Sequence, residues 1–149
     1  MSKVCNHSVF KILIVETDAA SRQLLRLMLG DNNCVMIEAT SRDEAISKYI
    51  QERPDIVILD TYMGNYNGFE VCKQMTQISA VYRTPIVMVS NFSDHKYIEQ
   101  GYEAGAVDYI TKPFDLFELR SRIRLILENC DSKDPLNNVA FRSDSTKTS

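Results

Sequence analysis

From Phe10 onward the chain alternates short runs of Val, Ile and Leu with amphipathic stretches, and it does so five times. A run that is apolar at every position has no face for water, so it reads as a strand covered on both sides. Successive strands of that kind run parallel and need a helix to cross from one to the next. The strand candidates are Ile12 to Val15, Val35 to Ala39, Ile56 to Leu59, Ile86 to Val89 and Val107 to Thr111. The first, third and fourth are unbroken and belong in the centre of a sheet. The second reads V-M-I-E-A, and the charge of Glu38 places it at an edge. The expected fold is therefore α/β, a five-stranded parallel sheet flanked by five helices.

The helices are read from the 3.6-residue period. The first, near Ala19 to Leu29, turns Leu24, Leu25 and Met28 inward and stops at Gly30 in the left-handed conformation. The second carries Ala45, Ile46, Tyr49 and Ile50 on one face, and Ser41 with Glu44 forms a capping box in which each side chain meets the other's free N–H. The third runs from Phe69 to about Met75 and the fourth from Ser93 to about Glu103. The last, about Asp115 to Glu128, puts Leu116, Leu119, Ile123, Ile126 and Leu127 on one stripe, with Glu118 and Arg122 four residues apart on the solvent side.

Composition narrows the function. Seventeen basic against twenty acidic residues give a net charge of −3, so nucleic acid is not expected to be bound by this domain itself. No apolar run reaches the length that spans a bilayer and no secretory leader is visible, so a cytoplasmic location is expected. Cys5, Cys34, Cys72 and Cys130 are too scattered for a zinc knuckle or a redox pair and read as thiols in packing or surface positions. His7 and His95 have no ligand spacing around them. The polar stretch after Cys130 cannot offset the entropy of ordering, so the expected division is a tail over 1–9, one domain over 10–130 and a polar tail or severed linker over 131–149.

All strands of such a sheet point the same way, so the residues just past their ends collect along one edge, where open α/β sheets bind ligands. That edge receives Glu16, Thr17 and Asp18 from the first strand, Asp60 from the third, Ser90 and Asn91 from the fourth, and Lys112 and Pro113 from the fifth. Carboxylates suit a hard divalent cation, while a lysine and a hydroxyl suit an anion. A phosphoryl group lying between metal and lysine fits both, with Asp60 as a candidate nucleophile.

Four segments, KILIVETD (Lys11 to Asp18), PDIVILDTYMGNYNGFEVC (Pro54 to Cys72), PIVMVSN (Pro85 to Asn91) and GAVDYITKPF (Gly105 to Phe114), stand in the order and spacing of one family. Over about residues 10–130 the chain resembles the receiver domain of two-component response regulators. The resemblance implies the flavodoxin-like receiver fold with strand order 2-1-3-4-5. It implies a signalling domain in a phosphorelay rather than an enzyme with a separate substrate. Asp60 would accept a phosphoryl group from a histidine kinase or histidine phosphotransfer protein, and Lys112 would bind the phosphoryl oxygens. Glu16, Asp60 and the backbone carbonyl of Tyr62 would hold Mg²⁺. Ser90, a third catalytic residue beside Asp60 and Lys112, would move its hydroxyl toward the phosphoryl group, and Tyr109 would switch with it, altering the surface of the fourth helix, fifth strand and fifth helix for an effector, an output domain or a second copy. A cis bond between Lys112 and Pro113 is also implied.

The sequence departs from the family pattern at several positions. Thr17 stands where a second acidic ligand is usual and weakens the hold on a hard cation. Asp18, one residue further, is placed to cap the first helix instead. Asn91 is large where a small residue is usual, and Gly64 replaces a proline. Asn91 and Gly64, together with Tyr62 and Phe92, which are bulky at positions that in the family influence how fast water attacks the acyl phosphate, predict slow loss of phosphate. Thr17 and Asn91 also raise an alternative, a pseudo-receiver that acts as an interaction module without phosphate. A dehalogenase-like phosphatase is disfavoured because Tyr62 occupies the place of its second aspartate, and a flavin protein because ETDAASR holds no glycine.

Overall fold

The computed structural model describes residues 9–30, 33–62, 64, 67–78 and 84–129 of the 149. Five strands, β1 (Phe10–Val15), β2 (Cys34–Ala39), β3 (Ile56–Asp60), β4 (Ile86–Ser90) and β5 (Asp108–Thr111), form one parallel sheet in the order β2-β1-β3-β4-β5. Between and after them lie α1 (Ala19–Leu29), α2 (Arg42–Glu52), α3 (Gly68–Ile78), α4 (His95–Ala104) and α5 (Leu116–Glu128). The unbroken runs are the three inner strands, and the run interrupted by Glu38 is at the edge. There Glu38 is paired with Arg22 at 3.1 Å and Arg26 at 3.0 Å, both from α1.

Alternate residues of each strand feed two cores. On one face Leu13, Val15, Leu59 and Met88 pack with Ala45 and Tyr49 of α2, Val71, Cys72 and Met75 of α3, and Ala104 of α4. On the other Ile12, Ile14, Ile58 and Val89 pack with Leu25 and Leu29 of α1 and Leu119, Ile123, Ile126 and Leu127 of α5. Cys72 belongs to the first core, where burial pushes its thiol pKa up to about 12, and Cys34 is half-buried. Cys5, Cys130, His7 and the tail beyond residue 130 lie outside the described residues.

Several local expectations need correcting. Leu24 is 47% exposed and Ile50 55% exposed, while Leu29 takes the inward place on α1. Each outlier sits at the rim of its apolar stripe, where the sheet no longer reaches. Leu116 is likewise exposed at the first turn of α5. Helix α3 runs three residues past Met75, and α4 starts two residues later than expected, with Asp94 as its N-cap.

Gly30 is not left-handed: its φ is −70°, and its value is close approach, since a Cβ there would lie 2.6 Å from the Arg26 carbonyl oxygen. The left-handed stops fall instead at Arg53, with φ 50°, and Gly105, with φ 116°. The capping box is half formed. Ser41 Oγ accepts from Glu44 N–H at 3.1 Å, but the Glu44 carboxylate accepts from Thr40 N–H at 2.8 Å, one residue earlier than a reciprocal box.

Candidate functional site

The C-terminal ends of β1, β3, β4 and β5 bring the sequence-expected polar residues to one edge. Asp60 ends the fully buried β3, and Glu16 follows the four buried residues that end β1. Lys112 follows β5, and its backbone N–H donates to the Ser90 carbonyl at 2.7 Å, which fixes where its side chain starts. From there the Lys112 ammonium donates to Asp60 Oδ2 at 2.8 Å and to Glu16 Oε1 at 3.2 Å. The remaining carboxylate oxygens meet backbone. Tyr62 N–H donates to Asp60 Oδ1 at 3.0 Å, and Asp18 N–H donates to Glu16 Oε2 at 3.2 Å. The Lys112–Pro113 bond is cis.

The electrostatics follow from putting two carboxylates and one ammonium in a largely buried place. Burial pushes Glu16 up to about 7, and the hydrogen bond and charge of Asp60 push the same way against the opposing pull of the Asp18 N–H and Lys112. Burial disfavours the Lys112 charge, yet the hydrogen bonds and charges of Asp60 and Glu16 outweigh it and raise its pKa above the ordinary lysine value. Lys112 therefore stays cationic and the second carboxylate is the group under strain. A further cation beside the two carboxylates would relieve that strain, whereas an anion drawn to Lys112 would add to it unless a cation came with it.

The other candidates fall around this centre. Thr17 is exposed, and its carbonyl, like that of Glu16, accepts from Arg22 at 3.0 Å. Asp18 caps α1 as expected, accepting from Ser21 N–H at 2.9 Å and from its hydroxyl at 2.8 Å. Tyr62 is 61% exposed beside the acceptor, Asn91 is exposed, and Phe92 stacks on Tyr97 with ring centroids 4.7 Å apart.

Among the described residues no group of three or more His, Cys, Asp or Glu side chains is arranged to hold a metal ion. Glu16 and Asp60 are still of the kind and number that suit Mg²⁺, which takes one or two carboxylates and fills its shell with water and substrate oxygens.

Ser90 and Tyr109 form a second group. Ser90 is fully buried, and its Oγ accepts from the Thr61 hydroxyl at 2.6 Å and from Phe92 N–H at 2.9 Å. Tyr109, only 7% exposed, donates its hydroxyl to the Phe92 carbonyl at 2.7 Å, whereas an aromatic in that place would by default keep a wet hydroxyl. One backbone residue, Phe92, thus ties the two side chains together.

Sequence reasoning did not single out Thr61 or Gly68. The signal for Thr61 was its place immediately after Asp60, and its pairing with Ser90 follows from the structure's register. At Gly68, which opens α3, a Cβ would collide with the Asp60 carbonyl oxygen and would lie 2.7 Å from Thr61 Cα. That close approach presses the start of α3 against the strand end that carries Asp60.

Similarity to known proteins gives the family. A family model described as the response regulator receiver domain matches residues 12–124. The chain belongs to that family. The transcriptional regulatory protein ResD of Bacillus subtilis (strain 168) is 37% identical over 127 residues, which are 85% of this chain and 52% of ResD. The alkaline phosphatase synthesis transcriptional regulatory protein PhoP of the same organism is 34% identical over 125 residues, 84% of this chain and 51% of PhoP.

The receiver domain thus spans about half the length of these two relatives. Among solved structures, the BeF3-activated N-terminal receiver domain of Klebsiella pneumoniae RstA superposes with a TM-score of 0.71 at 28% identity, covering 78% of this chain and 97% of that one. The domain is a signalling module of two-component systems, and among its described residues no helix is long and apolar enough to cross a membrane.

Proposed function

We propose that Asp60 accepts a phosphoryl group from the phosphohistidine of a histidine kinase or histidine phosphotransfer protein. The observation that carries this reading is the Lys112 ammonium held between Asp60 and Glu16 at the open edge of the sheet. An Asp60 carboxylate oxygen attacks phosphorus, the P–N bond to the donor histidine breaks, and the imidazole leaves with that electron pair. Lys112 keeps the added anionic oxygens neutralised, and the Tyr62 N–H fixes the carboxylate so that one oxygen faces the incoming group. Glu16, Asp60 and the Tyr62 carbonyl would hold Mg²⁺, which when bound screens the repulsion between carboxylate and phosphoryl donor. Thr17 adds no charge to that set, so the metal is held weakly.

The consequence we assign is a change at Ser90 and Tyr109 that alters the surface of α4, β5 and α5. That surface would meet an effector protein, an output domain or a second copy of the chain. Relatives named as transcriptional regulatory proteins make a transcriptional output the natural one. We take residues 10–130 as the receiver unit and the cytoplasm as its place of action.

Intact-mass measurement after incubation with a small phosphodonor and Mg²⁺ tests the reading. It expects one phosphoryl group on the native chain and none on Asp60→Asn. Phosphate gained only by Thr17→Asp would overturn it in favour of a module that signals without phosphate.

A further inference from the structure

The buried hydrogen bond between Thr61 and Ser90 involves none of Asp60, Glu16 and Lys112. Strands β3 and β4 are parallel with Asp60 opposite Val89, which sets Thr61 beside Ser90 one step on. Neighbouring residues of a strand point to opposite faces. Val89 belongs to the core under α1 and α5, whereas Met88 and Tyr109 belong to the core under α2, α3 and α4. Ser90, one residue after Val89, therefore turns toward the Tyr109 side, and its 2.6 Å bond to Thr61 is made on that side. Both residues are almost wholly buried, at 0% and 2% exposure, so water does not replace this bond if it breaks.

The Ser90 hydroxyl accepts from the Thr61 hydroxyl and the Phe92 N–H and is also hydrogen-bonded to the Tyr109 hydroxyl, so all its partners lie on the side away from Asp60. To serve a phosphoryl group on Asp60, Ser90 has to turn back toward the strand ends and give up the Thr61 bond. We propose that Thr61 is a positioning residue that latches Ser90 in the resting arrangement and so sets how readily the domain switches. The inference rests on the phosphoryl-acceptor reading above and concerns the regulation of that same site. Its chemistry is that of one hydroxyl: valine matches threonine in shape but cannot donate, while serine retains the donor.

The test is titration of the native chain with beryllofluoride in the presence of Mg²⁺, followed by ¹⁹F NMR, together with Thr61→Val, Thr61→Ser and Ser90→Ala. Thr61→Val is expected to bind beryllofluoride about fivefold more tightly than the native chain, the size of one net hydrogen bond. Thr61→Ser is expected to bind like the native chain. In the Ser90→Ala background Thr61→Val is expected to change nothing, because the residue it releases is gone. That coupling is not the signature of a merely structural threonine. Should Thr61→Val not fold, Thr61→Ala removes the same donor and carries the same expectation.

Unchanged or weaker binding by a folded hydroxyl-deleted variant, or an equal effect with and without Ser90, would overturn the latch. Failure of the native chain to bind beryllofluoride at all would instead overturn the acceptor reading on which the latch rests.

Discussion

Removing the charge of Glu16 should make the metal-free domain more tolerant of alkaline conditions. Glu16 is 3% exposed, and its pKa rises from the ordinary 4.5 to about 7, first through burial and then through Asp60. A carboxyl that holds its proton more tightly in the folded than in the unfolded chain stabilises the fold fully below about pH 4.5. That contribution is lost as the pH climbs through about 7. A shift of this size corresponds to about 3 kcal/mol at most, and solvent at the open edge of the pocket reduces it to roughly 1–3 kcal/mol.

The assay is urea unfolding of the native chain and Glu16→Gln in a chelator, at about pH 5 and about pH 8. The difference between the two proteins across that interval cancels the groups remote from Glu16 and leaves Glu16 together with its partners Asp60 and Lys112. Glu16→Gln should gain roughly 1–3 kcal/mol relative to the native chain on going to the higher pH. Added Mg²⁺ should narrow the gap by favouring the ionised native carboxylate. Parallel pH profiles for the two proteins, or a relative loss by Glu16→Gln at the higher pH, would refute the reasoning.

Other perturbations probe neighbouring parts of the account. Thr17→Asp should tighten Mg²⁺ binding by about tenfold, measured by calorimetry, because a carboxylate is a far better ligand for a hard cation than a hydroxyl. Gly68→Ala should lower stability by about 2 kcal/mol or more in denaturant unfolding, since the added Cβ meets the backbone of Asp60 and Thr61 rather than a side chain that can move. With the bulky Tyr62 and Phe92 in the segments that follow β3 and β4, phosphate on Asp60 should be lost slowly, and loss within seconds in a phosphate-release assay would contradict the crowding argument.

The sheet was legible because three runs, ILIV, IVIL and IVMV, have no polar position and can only be central, and because Glu38 marks an edge. Strand direction then carried Glu16, Asp60, Ser90 and Lys112 to one edge without any knowledge of their contacts. What stayed hidden was set by tertiary approach. Nothing local to Leu24 or Ile50 says where the helix stripe loses its cover, and Gly30 reads as a left-handed stop until the Arg26 carbonyl is seen against it.

Within the site, Lys112 could be placed at the edge from sequence, but its simultaneous bonds to two carboxylates depend on side-chain reach across three strands. The Thr61–Ser90 bond was hidden for a similar reason. Cross-strand register, which no single segment encodes, decides which hydroxyl meets which.

The central claim is that Asp60 carries the phosphoryl group, and the most direct measurement is chemical mapping of the modified chain. The protein is incubated with a phosphohistidine donor and Mg²⁺ and reduced with borohydride, which converts an acyl phosphate on aspartate to homoserine. It is then digested and sequenced by tandem mass spectrometry. The account predicts homoserine at position 60 and its absence when the donor is omitted. Homoserine at another aspartate, or an unmodified position 60 in a chain that has demonstrably gained phosphate, would contradict it.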